Sequence, residues 1–200
     1  MNTQTLLSIV ADQREELLAN DYSELCPRPE ESQLDLKSNR AQVVIGVRRC
    51  GKSTLCEMFL KQKGIDFAYV NFDDDRMEDM EASDLDHLLE ALYMTYGEFK
   101  YLFLDEIQNI EGWPLFVNRL LRQKMHLFIT GSNSKLLSKE LSTHLTGRNN
   151  KVELYPFSYS EYCAMKNIDT TSLSTKAKGI RKSTLHEYLL QGGFPELFNE

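Results

Sequence analysis

Gly46 to Thr54 reads GVRRCGKST. Two glycines bracket four residues, and Lys52, Ser53 and Thr54 follow the second glycine at once. That is the spacing of a loop that cradles a phosphate chain. Glycine lets the backbone fold around an anion with no side chain in the way, and successive N–H groups then form a nest. A helix starting at Ser53 aims its positive end at the same point. The expected contacts run from Gly46 through Val47, Arg48, Arg49, Cys50 and Gly51 to Thr54. Lys52 reaches the β- and γ-phosphates, and Ser53 offers its hydroxyl to Mg²⁺. Arg48 and Arg49 either add charge beside the phosphates or pair with nearby acids and face solvent. Cys50 either packs inside or is a thiol whose pKa the helix N-terminus lowers.

A second constellation closes the run YLFLDE. Two acids at the tip of an apolar strand stand where an open parallel sheet keeps its ligands. On that reading Asp105 shares Mg²⁺ with Ser53, and Glu106 faces the γ-phosphate and orients or activates water. The bland alternative is an exposed turn or a helix cap. HLFITGSNS places Thr130, Ser132 and Asn133 at another strand tip, where one of them can hydrogen-bond the γ-phosphate or its water. GSNS is equally ordinary cap chemistry. Arg148, in LTGRNN, either reaches into a neighbouring subunit's site or complements the dipole of its own helix. The candidate catalytic set is Lys52, Glu106 and Arg148.

These residues need strands that end at one edge. Strands are predicted over Ala41–Val47, Phe67–Asp75, Lys100–Gln108, His126–Ser134 and Lys151–Phe157. The first four are nearly all apolar, as strands buried on both faces are, and the fifth is mixed, as an edge is. Helices are predicted over Thr5–Asn20, Ser53–Lys61, Asp84–Tyr96, Trp113–Lys124 and Lys135–Leu145, with Pro114 in a first turn where it is tolerated. The polar stretch Thr170–Ser183 reads as a domain boundary or mobile loop, and a last helix starts at Leu185 before the turn GGFPE. The alternation predicts an α/β three-layer phosphate-loop NTPase fold: a five-stranded, mainly parallel sheet, helices on both faces, and the start of a small helical lid. Residues 1–40 form an N-terminal helical segment packing on the core, 41–168 the ATPase core, and 169–200 the start of the lid and C-terminal region. FAYVNF lies between the loop strand and the acidic strand in sequence. An extra strand there is characteristic of the ATPase branch with a catalytic glutamate, and argues against a nucleotide kinase.

Composition narrows the classes. Thirty acids against 23 bases leave a net charge of -7, which argues against generic nucleic-acid binding. The four cysteines form no CxxC pair and read as reduced thiols of a cytoplasmic protein. The four histidines lack the spacing of a helical metal site. The N-terminus has no signal-peptide pattern, and no apolar run approaches the ~20 residues that span a bilayer.

GVRRCGKSTL, YVNFDDDR, YLFLDEIQNIEGWPLFVNRL, LFITGSNSKLLSKELSTHLTGR, LYPFSYSEY and GGFPE together resemble prokaryotic ATPases of the AAA+ superfamily with a fused C-terminal domain of unknown function. The resemblance covers nearly the whole chain. It implies an AAA+-type core, ATP, Mg²⁺, and the roles given to Lys52, Ser53, Asp105 and Glu106. Members usually continue past GGFPE into a second half, sometimes described as nuclease-like, so residues 169–200 are expected to begin a region cut short at Glu200. Only Arg148 and Arg181 are placed for a lid contact. The expected function is Mg²⁺-dependent hydrolysis of ATP that drives or gates a partner or C-terminal domain, with a homo-oligomer supplying an arginine in trans. The alternative is a nucleotide-dependent switch with little hydrolysis of its own.

Overall fold

Strand residues alternate between two apolar cores, one on each face of a single sheet. The computed structural model describes residues 1–22, 25–132 and 143–198. Its strands are β1 (Ala41–Gly46), β2 (Phe67–Asn71), β3 (Tyr101–Asp105), β4 (His126–Gly131) and β5 (Asn149–Leu154). Their spatial order is β2-β3-β4-β1-β5, and all four pairings are parallel. Val43, Ile45, Leu102, Leu104, Leu127 and Ile129 face one core. Val44, Phe103, Phe128 and Val152 face the other. This period of two, with both faces apolar, is why the central strands read as continuous hydrophobic runs.

Parallel strands need crossovers, and helices supply them. The helices are α1 (Thr3–Ala19), α2 (Lys52–Gln62), α3 (Leu85–Tyr96), α4 (Trp113–Arg122), α5 (Tyr159–Met165) and α6 (Thr175–Gln191). α1, α3 and α4 cover the first core with Leu6, Ile9, Val10, Leu88, Leu92, Trp113, Phe116 and Leu120. α2 covers the second with Leu55, Cys56, Phe59 and Leu60. The α/β fold expected from the sequence is therefore present, with β5 at one edge as its mixed composition suggested. The strand that separates β1 from β3 in space is β4, whereas β2 stands at the far edge.

Two expectations are corrected. Residues 170–183 are not a loop throughout, because α6 begins at Thr175, where Ser174 caps it by accepting the Ala177 N–H at 3.1 Å. Its helical period is hidden because Thr184 is its one buried residue, so it carries no apolar stripe. β3 stops at Asp105 and does not run to Gln108, because Glu106 turns left-handed with φ 54°. Of the helix expected over Lys135–Leu145, residues 135–142 lie outside the described residues. Among the described residues no helix is long and apolar enough to cross a membrane.

β1 ends in Gly46 for a steric reason. A Cβ there would run into the carbonyl oxygen of Leu154 on β5 and lie 2.8 Å from Cys50 Sγ. Gly46→Ala should force β1 and β5 apart and cost about 1–3 kcal/mol. The shift of the urea unfolding midpoint at constant slope measures it.

Candidate phosphate-binding site

Because all five strands are parallel, the tips of β1, β3 and β4 open on one end of the sheet. β1 hands over to the loop Val47–Gly51, and α2 starts at Lys52. Arg49 (φ 66°) and Gly51 (φ 92°) are left-handed, which gives the loop its tight curl. Lys52 is buried, and its Nζ donates to the Val47 carbonyl at 3.3 Å while lying 3.1 Å from Glu106 Oε1. Loop and acids thus frame a cavity of about 330 Å³. Arg48, Arg49, Gly51, Lys52, Ser53 and Thr54 line it with Asp105 and Glu106.

The two readings of the arginines resolve toward ion pairs. Arg48 meets Asp73 at 2.8 Å and Arg49 meets Glu196 at 3.2 Å, both at the cavity rim. Cys50 packs. Its thiol is buried and donates to the Leu154 carbonyl at 3.5 Å. Burial pushes it up, and the charges of Lys52 and Arg28 offset only part of that, so it is not an activated thiolate.

Asp105 is the centre of a hydroxyl cluster. Ser53 Oγ donates to its Oδ1 at 2.8 Å, Thr130 Oγ1 donates to the same oxygen, and Tyr69 OH donates to Oδ2 at 3.3 Å. Burial pushes its carboxyl up, and the bonds from Thr130 and Ser53 pull it back part of the way. Glu106 is held differently. Gln108 Nε2 donates to Oε2 at 2.6 Å and the Ser132 N–H donates to the same oxygen at 2.8 Å. Burial raises the Glu106 carboxyl, but the Gln108 and Ser132 bonds and the Lys52 charge outweigh it, so it sits below its ordinary value.

The candidates at the tip of β4 are placed under the acids. Thr130 is fully buried, and its hydroxyl also accepts the Glu106 N–H at 3.0 Å, so it is engaged with the two acids. Ser132 touches Glu106 through its backbone. Asn133 lies outside the described residues. Arg148 is not part of this cavity. Its carbonyl accepts the N–H of Ala41, the first residue of β1, so it sits at the opposite end of the sheet, roughly 16 Å from the loop along the strand. Its guanidinium donates to Asn118 Oδ1 at 3.0 Å. Arg181 instead donates to the carbonyls of Asp169 and Ser172 beside its own helix.

Sequence reading missed Tyr69, Gln108, Glu196 and Glu57. Gln108 had a local signal, two residues past Glu106. Tyr69 and Glu196 come from distant segments and carry none, and Glu57, one turn past Ser53 on the same helix, reads in sequence as an ordinary exposed glutamate.

The model of the AAA domain matches residues 38–163. The chain belongs to this AAA domain family. It is 40% identical over 167 residues to an uncharacterised protein of Methanocaldococcus jannaschii, covering 82% of this chain and 38% of that protein. It is 36% identical over 164 residues to an uncharacterised protein of Haemophilus influenzae, covering 78% and 40%. It therefore spans about two fifths of the length of these curated relatives. Among solved structures it is similar to a Walker-type ATPase of Pyrococcus abyssi at TM-score 0.52 and 17% identity, over 88% of this chain and 64% of that one. That likeness carries the fold. The family carries nucleotide binding, and the chain is an AAA-type ATPase domain with relatives in an archaeon and a bacterium.

One turn beyond Ser53, this AAA domain buries Glu57 on α2. Burial pushes its carboxyl up to about 7, the nearby Asp105 adds to this, and Asn20 and Lys61 oppose it. The folded protein then holds a proton there that the unfolded chain releases near pH 4.5. The contribution of Glu57 to stability is therefore greatest below that pH, falls as pH rises toward 7, and levels off above. Glu57→Gln should remove this slope and raise stability at pH 8 by about 2–3 kcal/mol, read from urea unfolding at several pH values.

Proposed function

We propose that the chain binds ATP with Mg²⁺ and hydrolyses it to ADP and phosphate. The observation that carries this reading is the paired arrangement at the cavity: Ser53 against Asp105 at 2.8 Å and Lys52 against Glu106 at 3.1 Å. A kinase needs only the first pair, whereas a second acid beside the phosphate lysine suits activation of water. The hydroxyl of Ser53 and the carboxylate of Asp105 are hard oxygen donors, the type Mg²⁺ prefers. No cluster of three or more His, Cys, Asp or Glu fit for a metal occurs among the described residues. That suits an ion held by few protein oxygens and completed by phosphates and water. Ser53 and Asp105 would hold Mg²⁺ there, and when bound it would offset negative charge on the phosphate chain.

The residues divide the work. The loop N–H groups and the α2 N-terminus hold the phosphate chain. Lys52 exchanges Glu106 for the β- and γ-phosphates. Glu106, released from the lysine and still anchored by Gln108 and Ser132, accepts a hydrogen bond from water. That water adds its oxygen to the γ-phosphorus as the bond to the β–γ bridging oxygen breaks, and its proton passes toward Glu106. Thr130 and Ser132 keep the two acids in place. Arg148 is assigned to the site of a neighbouring copy, which its distance from its own cavity supports. Hydrolysis then drives or gates a partner or further domain, residues 169–200 being the start of that connection.

A second reading has its own support. The Lys52–Glu106 pair occupies the base, and Arg148 is remote, so an isolated chain suits a nucleotide switch with little turnover. One experiment separates the two: phosphate release from Mg·ATP across a range of protein concentrations, with ADP binding measured in parallel. The ATPase reading expects specific activity that climbs with concentration. Glu106→Gln should then cut turnover by about 10²–10⁴-fold with nucleotide still bound, and Lys52→Ala should lose binding. Tight binding with no turnover at any concentration supports the switch.

A further inference from the structure

Arg28 lies upstream of the residues that the AAA domain match covers, in the segment between α1 and β1, and it is buried. A buried guanidinium must have its donors occupied. Nη2 donates to the Tyr155 carbonyl at 2.7 Å, and Nη1 donates to the Cys50 carbonyl at 3.3 Å. Nε lies 2.7 Å from Glu161 Oε1, and the group sits 4.7 Å over the ring of Phe157. One side chain from the N-terminal segment therefore joins the phosphate loop to the turn after β5.

The Cys50 contact reaches the site by elementary geometry. The Cys50 carbonyl and the Gly51 N–H belong to one planar peptide, and no peptide bond in the described chain is cis. In a trans peptide these two groups point in opposite directions. Drawing the oxygen toward Arg28 turns the Gly51 N–H away from it, and Gly51 is a cavity-lining residue while Arg28 is not. The peptide joins Cys50 to Gly51, which is left-handed, and Arg49 just before Cys50 is left-handed too. The Cys50 N–H reaches the Val47 carbonyl in a long bond of 3.4 Å. A flipped peptide would aim a carbonyl dipole at the phosphates and repel them.

We infer that Arg28 is a positioning residue for phosphate binding: its guanidinium sets the plane of the Cys50–Gly51 peptide so that an N–H, and not a carbonyl, meets the anion. The inference rests on the reading of Gly46–Thr54 as a nucleotide phosphate site. Glu161 and Phe157 hold Arg28 in turn, so they stabilise the arrangement without touching the loop.

The test is Mg·ADP titration calorimetry on the full chain, with unfolding temperatures, for wild type, Lys52→Ala, Arg28→Met, Arg28→Lys and Glu161→Gln. Arg28→Met should weaken ADP by about ten- to hundredfold, the range of one lost charge-assisted hydrogen bond. Arg28→Lys should recover part of this, since one ammonium does not span two carbonyls held by a guanidinium fork. Glu161→Gln leaves both carbonyl bonds available. It should lower the unfolding temperature and change ADP affinity by less than about threefold. Arg28 variants that fold and bind ADP as wild type does overturn the inference. So does Glu161→Gln weakening ADP as much as Arg28→Met, because a purely structural role predicts that parallel. If Arg28→Met does not fold, Arg28→Lys decides, and wild-type affinity in that variant is the overturning result. Wild type without ADP binding, or Lys52→Ala that binds as wild type does, removes the phosphate-site reading and the inference with it.

Discussion

Asp105 is a carboxylate nearly withdrawn from water at the tip of the third strand. Such a group is costly unless its oxygens are held, and three hydroxyls hold them, each from a different element. Ser53 comes from α2, Tyr69 from β2 and Thr130 from β4. The carboxylate therefore ties the phosphate-loop helix and both strands that flank β3 to one point. Thr130 extends the tie by accepting the Glu106 N–H, which carries the strained turn after β3. Disturbing Asp105 disturbs the relative placement of everything that lines the cavity.

The parallel sheet gives the molecule two unlike ends. At one end the loop, both acids and the rim ion pairs converge. At the other lie Arg148 and the entry of β1. Segments far apart in sequence close around the first end. Arg28 comes from before β1, and Glu196 comes from beyond α6. The turn GGFPE is seated by Gly193, whose carbonyl accepts the Phe157 N–H at 2.6 Å and whose missing side chain leaves room for the Phe157 backbone. The same Phe157 ring lies under Arg28. The segment before β1, the turn after α6 and the phosphate loop thus share one packed corner.

What could be read from the sequence follows from which forces are local. GVRRCGKST announces its loop because glycine freedom, helix start and lysine are consecutive. The strands announce themselves because burial on both faces leaves unbroken apolar runs. Asp105 and Glu106 stand out because two charges end such a run. The first half of α6 escaped because an exposed helix has no apolar stripe to show its period. Tyr69 and Arg28 escaped because a lone tyrosine in a strand, or an arginine between prolines, acquires meaning only when the fold brings it to a carboxylate or a carbonyl. The fates of Arg48 and Arg49 were open for the same reason, as their acidic partners Asp73 and Glu196 are not neighbours in sequence.

Three residues around the cavity, Arg49, Gly51 and Glu106, hold left-handed backbone, and two of them are not glycine. Arg49 and Glu106 each cost about 1–2 kcal/mol relative to ordinary helical or extended backbone, whereas Gly51 has no Cβ to clash. That cost is met when the chain folds, by the burial and hydrogen bonds elsewhere in the sheet. A ligand arriving later meets a concave wall whose torsions are already chosen, so little of its interaction energy goes into ordering the chain. The molecule is correspondingly less stable than its core alone would make it, and the difference reappears as readiness to bind.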